Sequence, residues 1–146
     1  MLSRITNNYL YLIVSLIMFG VLSSCDKHSK LKKRMEGYWG IDLCIIDGED
    51  YAMKALVPNC IVFHEEGNCD LPQFYYDGDL RGQQYAKWKL VDSIGQIFIV
   101  IEGAKNILSN TYTIEFMYNE QKNLHKVYLE NDNTKIKMTK ALANWN

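Results

Sequence analysis

From Tyr38 onward, hydrophobic and polar residues alternate with a period of two. In Tyr38–Ile46, the residues Trp39, Ile41, Leu43 and Ile45 share one face. In Gln83–Val91, Ala86, Trp88 and Leu90 alternate with Lys87 and Lys89. Tyr112, Ile114, Phe116 and Tyr118 do so in Thr111–Tyr118, and Ile136 and Met138 in Thr134–Lys140. Strict alternation marks strands with one buried and one wet face. Gln96–Ile101 is apolar on both faces, which predicts some cover on its outer side. Pro58–His64, Cys69–Gln73 and Leu124–Glu130 complete a set of about eight strands, at the spacing of an all-β sandwich or barrel.

The connections add a direction. Glu65–Asn68, Asp92–Gly95 and Asn119–Asn123 are tight, whereas residues 47–57, 74–82 and 102–109 are long. The two kinds alternate. In an up-and-down antiparallel sheet, alternate connections lie at opposite ends. One end is therefore expected to be closed by tight turns and the other to carry three long loops. An open sheet or sandwich is the competing outcome.

Upstream the pattern changes. Arg4 precedes an uncharged apolar stretch, Leu10 to Val21, which is too short for a membrane span and suits a signal-peptide core. Leu22-Ser23-Ser24-Cys25 follows. This resembles the bacterial lipobox, and the resemblance implies a signal peptide over 1–24 and lipidation of Cys25. The lipid would be a diacylglycerol thioether plus an acyl chain such as palmitate on the amine. Several chains together hold a protein firmly on a membrane. Residues 25–36 then form a charged tether, with Ser29 able to cap a short helix carrying Leu31 and Met35. Residues 37–146 form the domain. Strand one begins at the tight-turn end, so the tether is expected there and the long loops are expected to point away from the membrane.

The strand layout is that of the lipocalin-like barrels, the calycins. Gly37-Tyr38-Trp39 resembles the G-x-W at the start of the first lipocalin strand. The resemblance implies that Trp39 packs against a basic residue of the last strand, Lys137 or Lys140. The chain ends within six residues of that strand, so no C-terminal helix is expected. It is more similar to the small lipoproteins of Gram-negative bacteria that carry a lipocalin-like domain. That implies the cell envelope, with the periplasmic face favoured. Asp26 leaves inner and outer membrane both open.

Composition narrows the function. Lys+Arg 16 against Asp+Glu 17 gives a net charge of −1, so no nucleic-acid footprint is expected. No nucleophile-elbow, P-loop, dinucleotide or zinc-protease motif occurs, so neither an enzyme nor a cofactor is expected. His28, His64 and His125 are scattered and predict no metal site. Asp77-Gly78-Asp79 and Asp47-Gly48-Glu49-Asp50 read as turns. With Cys25 on lipid, three cysteines remain. Cys44 and Cys60 can lie on adjacent strands, which makes them the favoured disulfide pair among three.

Two features can carry recognition. One is the barrel interior, expected to hold Trp39, Ile41, Leu43, Ile61, Phe63, Trp88, Leu90, Tyr112, Ile114, Phe116, Ile136 and Met138. Eight strands leave room for side chains or one small ligand. The other is the rim of Tyr51, Met53, Phe74, Tyr75, Tyr76, Ile107 and Leu108, where exposed aromatics on loops mark a contact surface. The rim loops either stay exposed or fold inward and plug the barrel. The expected partner is thus a small apolar ligand at the open end. The alternative is a protein gripped by the rim of a packed barrel, in an accessory, inhibitor or immunity role.

Overall fold

The computed structural model describes residues 27–120 and 124–140. The signal peptide, Cys25, Asp26 and the C-terminal residues 141–146 lie outside the described residues, as do 121–123 of the third tight turn. A helix, α1, covers 27–35. It already includes Lys27, so Ser29 sits within the helix instead of capping it. Among the described residues, no helix is long and apolar enough to cross a membrane.

Among the described residues, twelve strands follow: β1 (Gly37–Ile46), β2 (Glu49–Asp50), β3 (Leu56–Val57), β4 (Cys60–Phe63), β5 (Asn68–Asp70), β6 (Gln73–Tyr76), β7 (Asp79–Arg81), β8 (Tyr85–Ser93), β9 (Gln96–Glu102), β10 (Thr111–Asn119), β11 (Leu124–Glu130) and β12 (Thr134–Lys140). Eight of them form a closed antiparallel barrel in the order β1-β4-β5-β8-β9-β10-β11-β12, with β12 returning to β1. The domain is all-β, as the alternation predicts, and the barrel is consistent with a lipocalin-like layout. The short β2 extends β1, and β3-β6-β7 form a separate three-stranded sheet.

Hydrophobic side chains form the core inside the barrel. Trp39, Ile61, Ile99, Tyr112, Val127, Leu129 and Met138 each have 0% of their surface exposed. Such side chains leave no surface on which a water molecule could rest, from outside or from a void beside them. Around these residues the interior is packed as protein cores are. Phe63 and Trp88 meet edge to face at 5.2 Å. Phe116 is half-buried and meets Trp39 in an edge-to-face arrangement at 6.3 Å. Ile114 is half-buried too, and on β9 the outer Phe98 and Val100 are only partly covered.

The resemblance left Lys137 and Lys140 open as the basic residue at Trp39. Lys140 holds that place, its Nζ 5.3 Å from the Trp39 ring centroid, while Lys137 lies over Tyr128. Trp39 and Lys140 are register partners where β1 closes on β12. Gly37 reaches this corner with φ +112°, and a Cβ there would press on Lys140 Cε at 3.3 Å.

The first strand departs from its predicted face. Its register with β12 shifts between Ile41 and Leu43. This is a β-bulge, an extra residue that reverses which side chains point inward. Trp39 and Ile41 point in before it, and Cys44 and Ile46 are buried after it. Leu43 is therefore not an interior residue, and Ile45 also moves to the outer, half-covered face. Thr139 Oγ1 donates to Asp42 Oδ2 at 2.7 Å, holding the bulged residue at the surface.

The bulge also separates the cysteines. Cys60 faces Gly40 on β1, whereas Cys44 faces Ile136 on β12. Four residues along β1 put about 13 Å between the levels of the two thiols, beyond the roughly 7 Å that a disulfide spans. The Cys44–Cys60 bridge expected from sequence does not form, and Cys44, Cys60 and Cys69 are all free. Asparagine substitutions test the bulge. Cys44→Asn should cost about 2–4 kcal/mol through a buried unpaired amide, and Leu43→Asn about 1 kcal/mol or less, both measured by urea denaturation.

Candidate functional site

The long connections are not loose loops. In the third connection the chain turns at Asp77 (φ 51°) and Gly78 (φ 87°), the two positive values of a type I′ hairpin turn. Tyr76 faces Asp79, Tyr75 faces Leu80 and Phe74 faces Arg81. Lower down, Asp70 faces Tyr85, Cys69 faces Ala86 and Asn68 faces Lys87. Both sets have one register, and between them the Leu71 N–H donates to the Gln84 carbonyl at 2.7 Å. So β5–β6 and β7–β8 are two arms of a single hairpin. It rises from the barrel wall and continues past the rim. β3 of the first long connection adds on beside it, Leu56 facing Phe74 and Val57 facing Gln73.

The two faces of this small sheet differ. On one, Phe74 and Tyr76 stack at 5.8 Å, Tyr51 packs on Phe74 at 5.2 Å and the Arg81 guanidinium lies 5.0 Å over Tyr76. On the other, Val57 (46% exposed), Tyr75 (47%) and Leu80 (50%) stand side by side in solvent. Three half-exposed apolar side chains sharing one sheet face form a small hydrophobic patch. Met53, 85% exposed, protrudes from the turn between β2 and β3.

The fifth connection, residues 103–110, folds inward. Asn106 Nδ2 donates to the carbonyls of Pro72 (2.8 Å) and Gln83 (3.0 Å), and its Oδ1 accepts from the Leu108 N–H (2.9 Å). Leu108 is fully buried, with its carbonyl accepting from Tyr112 Oη at 2.9 Å. Ala52, Ala55, Leu56 and Leu71 are buried as well. The long connections are thus tied to one another and contribute apolar side chains to the core.

The rim residues consequently part company. Tyr75, Tyr76 and Met53 are exposed, and Tyr51, Phe74 and Ile107 are half-buried. Leu108 belongs to the core, which corrects its place on the rim. Sequence reading missed Val57 and Leu80. The Asp-Gly turn held the signal for Leu80, because a two-residue hairpin around Asp77-Gly78 pairs it with Tyr75.

His64 Nε2 lies 3.0 Å from Asp70 Oδ2 in an open cleft beside the first tight turn, below Tyr85. Among the described residues, no group of three or more His, Cys, Asp or Glu is placed to hold a metal ion. Burial pushes the Cys44 and Cys69 thiols up to about 12, with Asp50 and Asp70 respectively adding to the shift. Burial also raises Cys60 and the Tyr112 phenol. These are neutral packing groups at neutral pH, not activated nucleophiles.

No family model matches the chain, and no curated protein or solved structure matches it either.

Two outcomes are expected. Substituting Asn106→Ala removes three hydrogen bonds, so amide exchange at Leu108 should accelerate at least tenfold while β11 and β12 keep their protection. The thiols predict an alkaline limit. A folded pKa above the ordinary 9.0 favours folding below pH 9 and loses that contribution as pH rises towards about 12. Urea midpoints should fall from pH 9 to 11, less steeply in Cys44→Ala and Cys69→Ala than in the parent.

Proposed function

We propose that this protein is a lipid-anchored lipoprotein of a Gram-negative cell envelope, and that its lipocalin-like barrel is a scaffold for binding another protein. The observation that carries this reading is the outer face of the β3-β6-β7 sheet, where Val57, Tyr75 and Leu80 are exposed together. Leaving apolar area in water costs roughly 25 cal/mol per Å², and grouped exposure on a raised, hydrogen-bonded hairpin suits a rigid contact surface. The lipid at Cys25 restricts the protein to the membrane surface. The barrel then serves as the scaffold that carries the hairpin sheet. No chemistry is assigned to the protein in this reading.

The competing small-ligand reading needs a chamber reached from the long-loop end. The fully buried side chains around Trp39, Tyr112 and Met138, and the inward fold of residues 103–110, favour the protein-binding reading.

Photo-crosslinking in the envelope tests it. A benzophenone side chain replacing Tyr75 should give a discrete product with a second protein, and one replacing Lys89 on the barrel wall should not. Tyr75→Ala and Leu80→Ala should each weaken the isolated complex by about tenfold or more without changing the urea midpoint by more than a small step. A product of twice the chain mass reports self-association instead. No product at Tyr75, together with discrete extra mass in a native spectrum that disappears on denaturation, would overturn this reading in favour of a carried ligand.

A further inference from the structure

The hairpin that rises from the rim has an unused edge. In the order β3-β6-β7, β3 covers one side of β6, and among the described residues no strand follows β7. All three β7 residues are exposed. The two-residue turn fixes the hydrogen-bonding phase. Tyr76 and Asp79 close the turn as a hydrogen-bonded pair, so Tyr75 and Leu80 form the next, non-hydrogen-bonded pair. The N–H and C=O of Leu80 therefore point away from β6, towards the open edge.

Exposed edges are usually blunted by charge. Here the charges flanking Leu80 are opposite: Asp79 on one side and Arg81 on the other. An antiparallel copy of the same strand, related by a two-fold axis through Leu80, would place Leu80 against Leu80, Asp79 against Arg81 and Arg81 against Asp79. The charges that would repel many strands make this edge self-complementary. The Leu80 pair would exchange two backbone hydrogen bonds. The charged pairs would fall at non-hydrogen-bonded positions, where opposed side chains approach most closely. Each Asp77–Gly78 tip would also descend to the level of Gln83 in the other copy, whose N–H is bonded to the Lys105 carbonyl. That brings the acidic Asp77 towards the exposed Lys105.

We propose that the protein self-associates by two-fold pairing of β7 with β7 of a second copy, forming a six-stranded sheet across two barrels. The pairing uses the edge of the small sheet and leaves its Val57, Tyr75 and Leu80 face in solvent. It therefore stands independently of the partner-binding reading and would double that face if both hold. Such an isologous contact closes on itself and does not propagate into a fibre. It is small, so association in solution is expected to be weak, with dissociation at about 10–100 μM.

Sedimentation equilibrium of the full chain in a mild detergent tests the proposal. The expected result is a monomer–dimer equilibrium that weakens at least tenfold in Asp79→Arg and in Arg81→Asp, and returns when both reversals are combined. A second test does not depend on charge. The two-fold pair would hold the Leu80 Cα atoms about 5.5 Å apart, within disulfide reach. Leu80→Cys should cross-link into a dimer under mild oxidation much faster than Val57→Cys or the parent chain. A chain that stays monomeric at high concentration, or a dimer unmoved by the reversals with no preferential cross-link at position 80, would overturn the proposal. Unchanged thermal melting in each variant separates loss of pairing from loss of fold.

Discussion

Closure of the sheet is the constraint on which the rest depends. β1 must pair with β4 on one side and with β12 on the other, and it cannot do both along its whole length with regular geometry. The bulge at Asp42 resolves the conflict. Below it, β1 faces β4 from Gly37 to Gly40. Above it, β1 keeps β12 as far as Thr134 but has lost β4. A bulge adds local twist and reverses side-chain parity. That is why Cys44 and Ile46, not Leu43 and Ile45, complete the upper core. Asn59 seals the parting, its carbonyl accepting from the Ile41 N–H at 3.1 Å and its Nδ2 donating to the Ile41 carbonyl at 2.9 Å.

Loss of β4 above Gly40 has a structural consequence at the rim. Freed from β1, the wall made by β4, β5 and β8 continues upward as β3, β6 and β7, a sheet with its own direction. β1 takes β2 as its neighbour instead, through a second type I′ turn at Asp47 and Gly48. The barrel thus divides at its upper end. One part is held down by Asn106 and buries Leu108. The other projects as a hairpin with an apolar face and a bare edge. Both surfaces proposed here as interaction sites arise from that division.

At the opposite end, Lys140 lies over Trp39 where the first and last strands meet. A cation above an indole is favourable by about 0.5–2 kcal/mol, depending on how dry the site is. The glycine beside it leaves room for the lysine stem. This corner joins the two ends of the domain, so it bears directly on whether the sheet stays closed.

The amino-acid sequence by itself determined the eight barrel strands, their antiparallel order and the division of the connections into tight and long, whereas β2, β3, β6 and β7 fall mostly within stretches it assigned to long loops. Alternation between Trp88 and Lys89, or between Met138 and Lys137, encodes which face is buried, because burial energy is local to each side chain. It also singled out Tyr75 and Tyr76 beside an Asp-Gly turn, but left open whether they stay exposed or fold inward, and the structure exposes them. Tertiary structure alone decided the face of Leu43, the separation of Cys44 from Cys60 and the burial of Leu108. The bulge is a response to pairing with two strands at once, and no residue near Asp42 announces it. Leu108 is buried because Asn106 bonds to carbonyls at Pro72 and Gln83, more than twenty residues away in the chain. Such contacts have no periodicity to read. They exist only once the sheet has closed and brought the connections together.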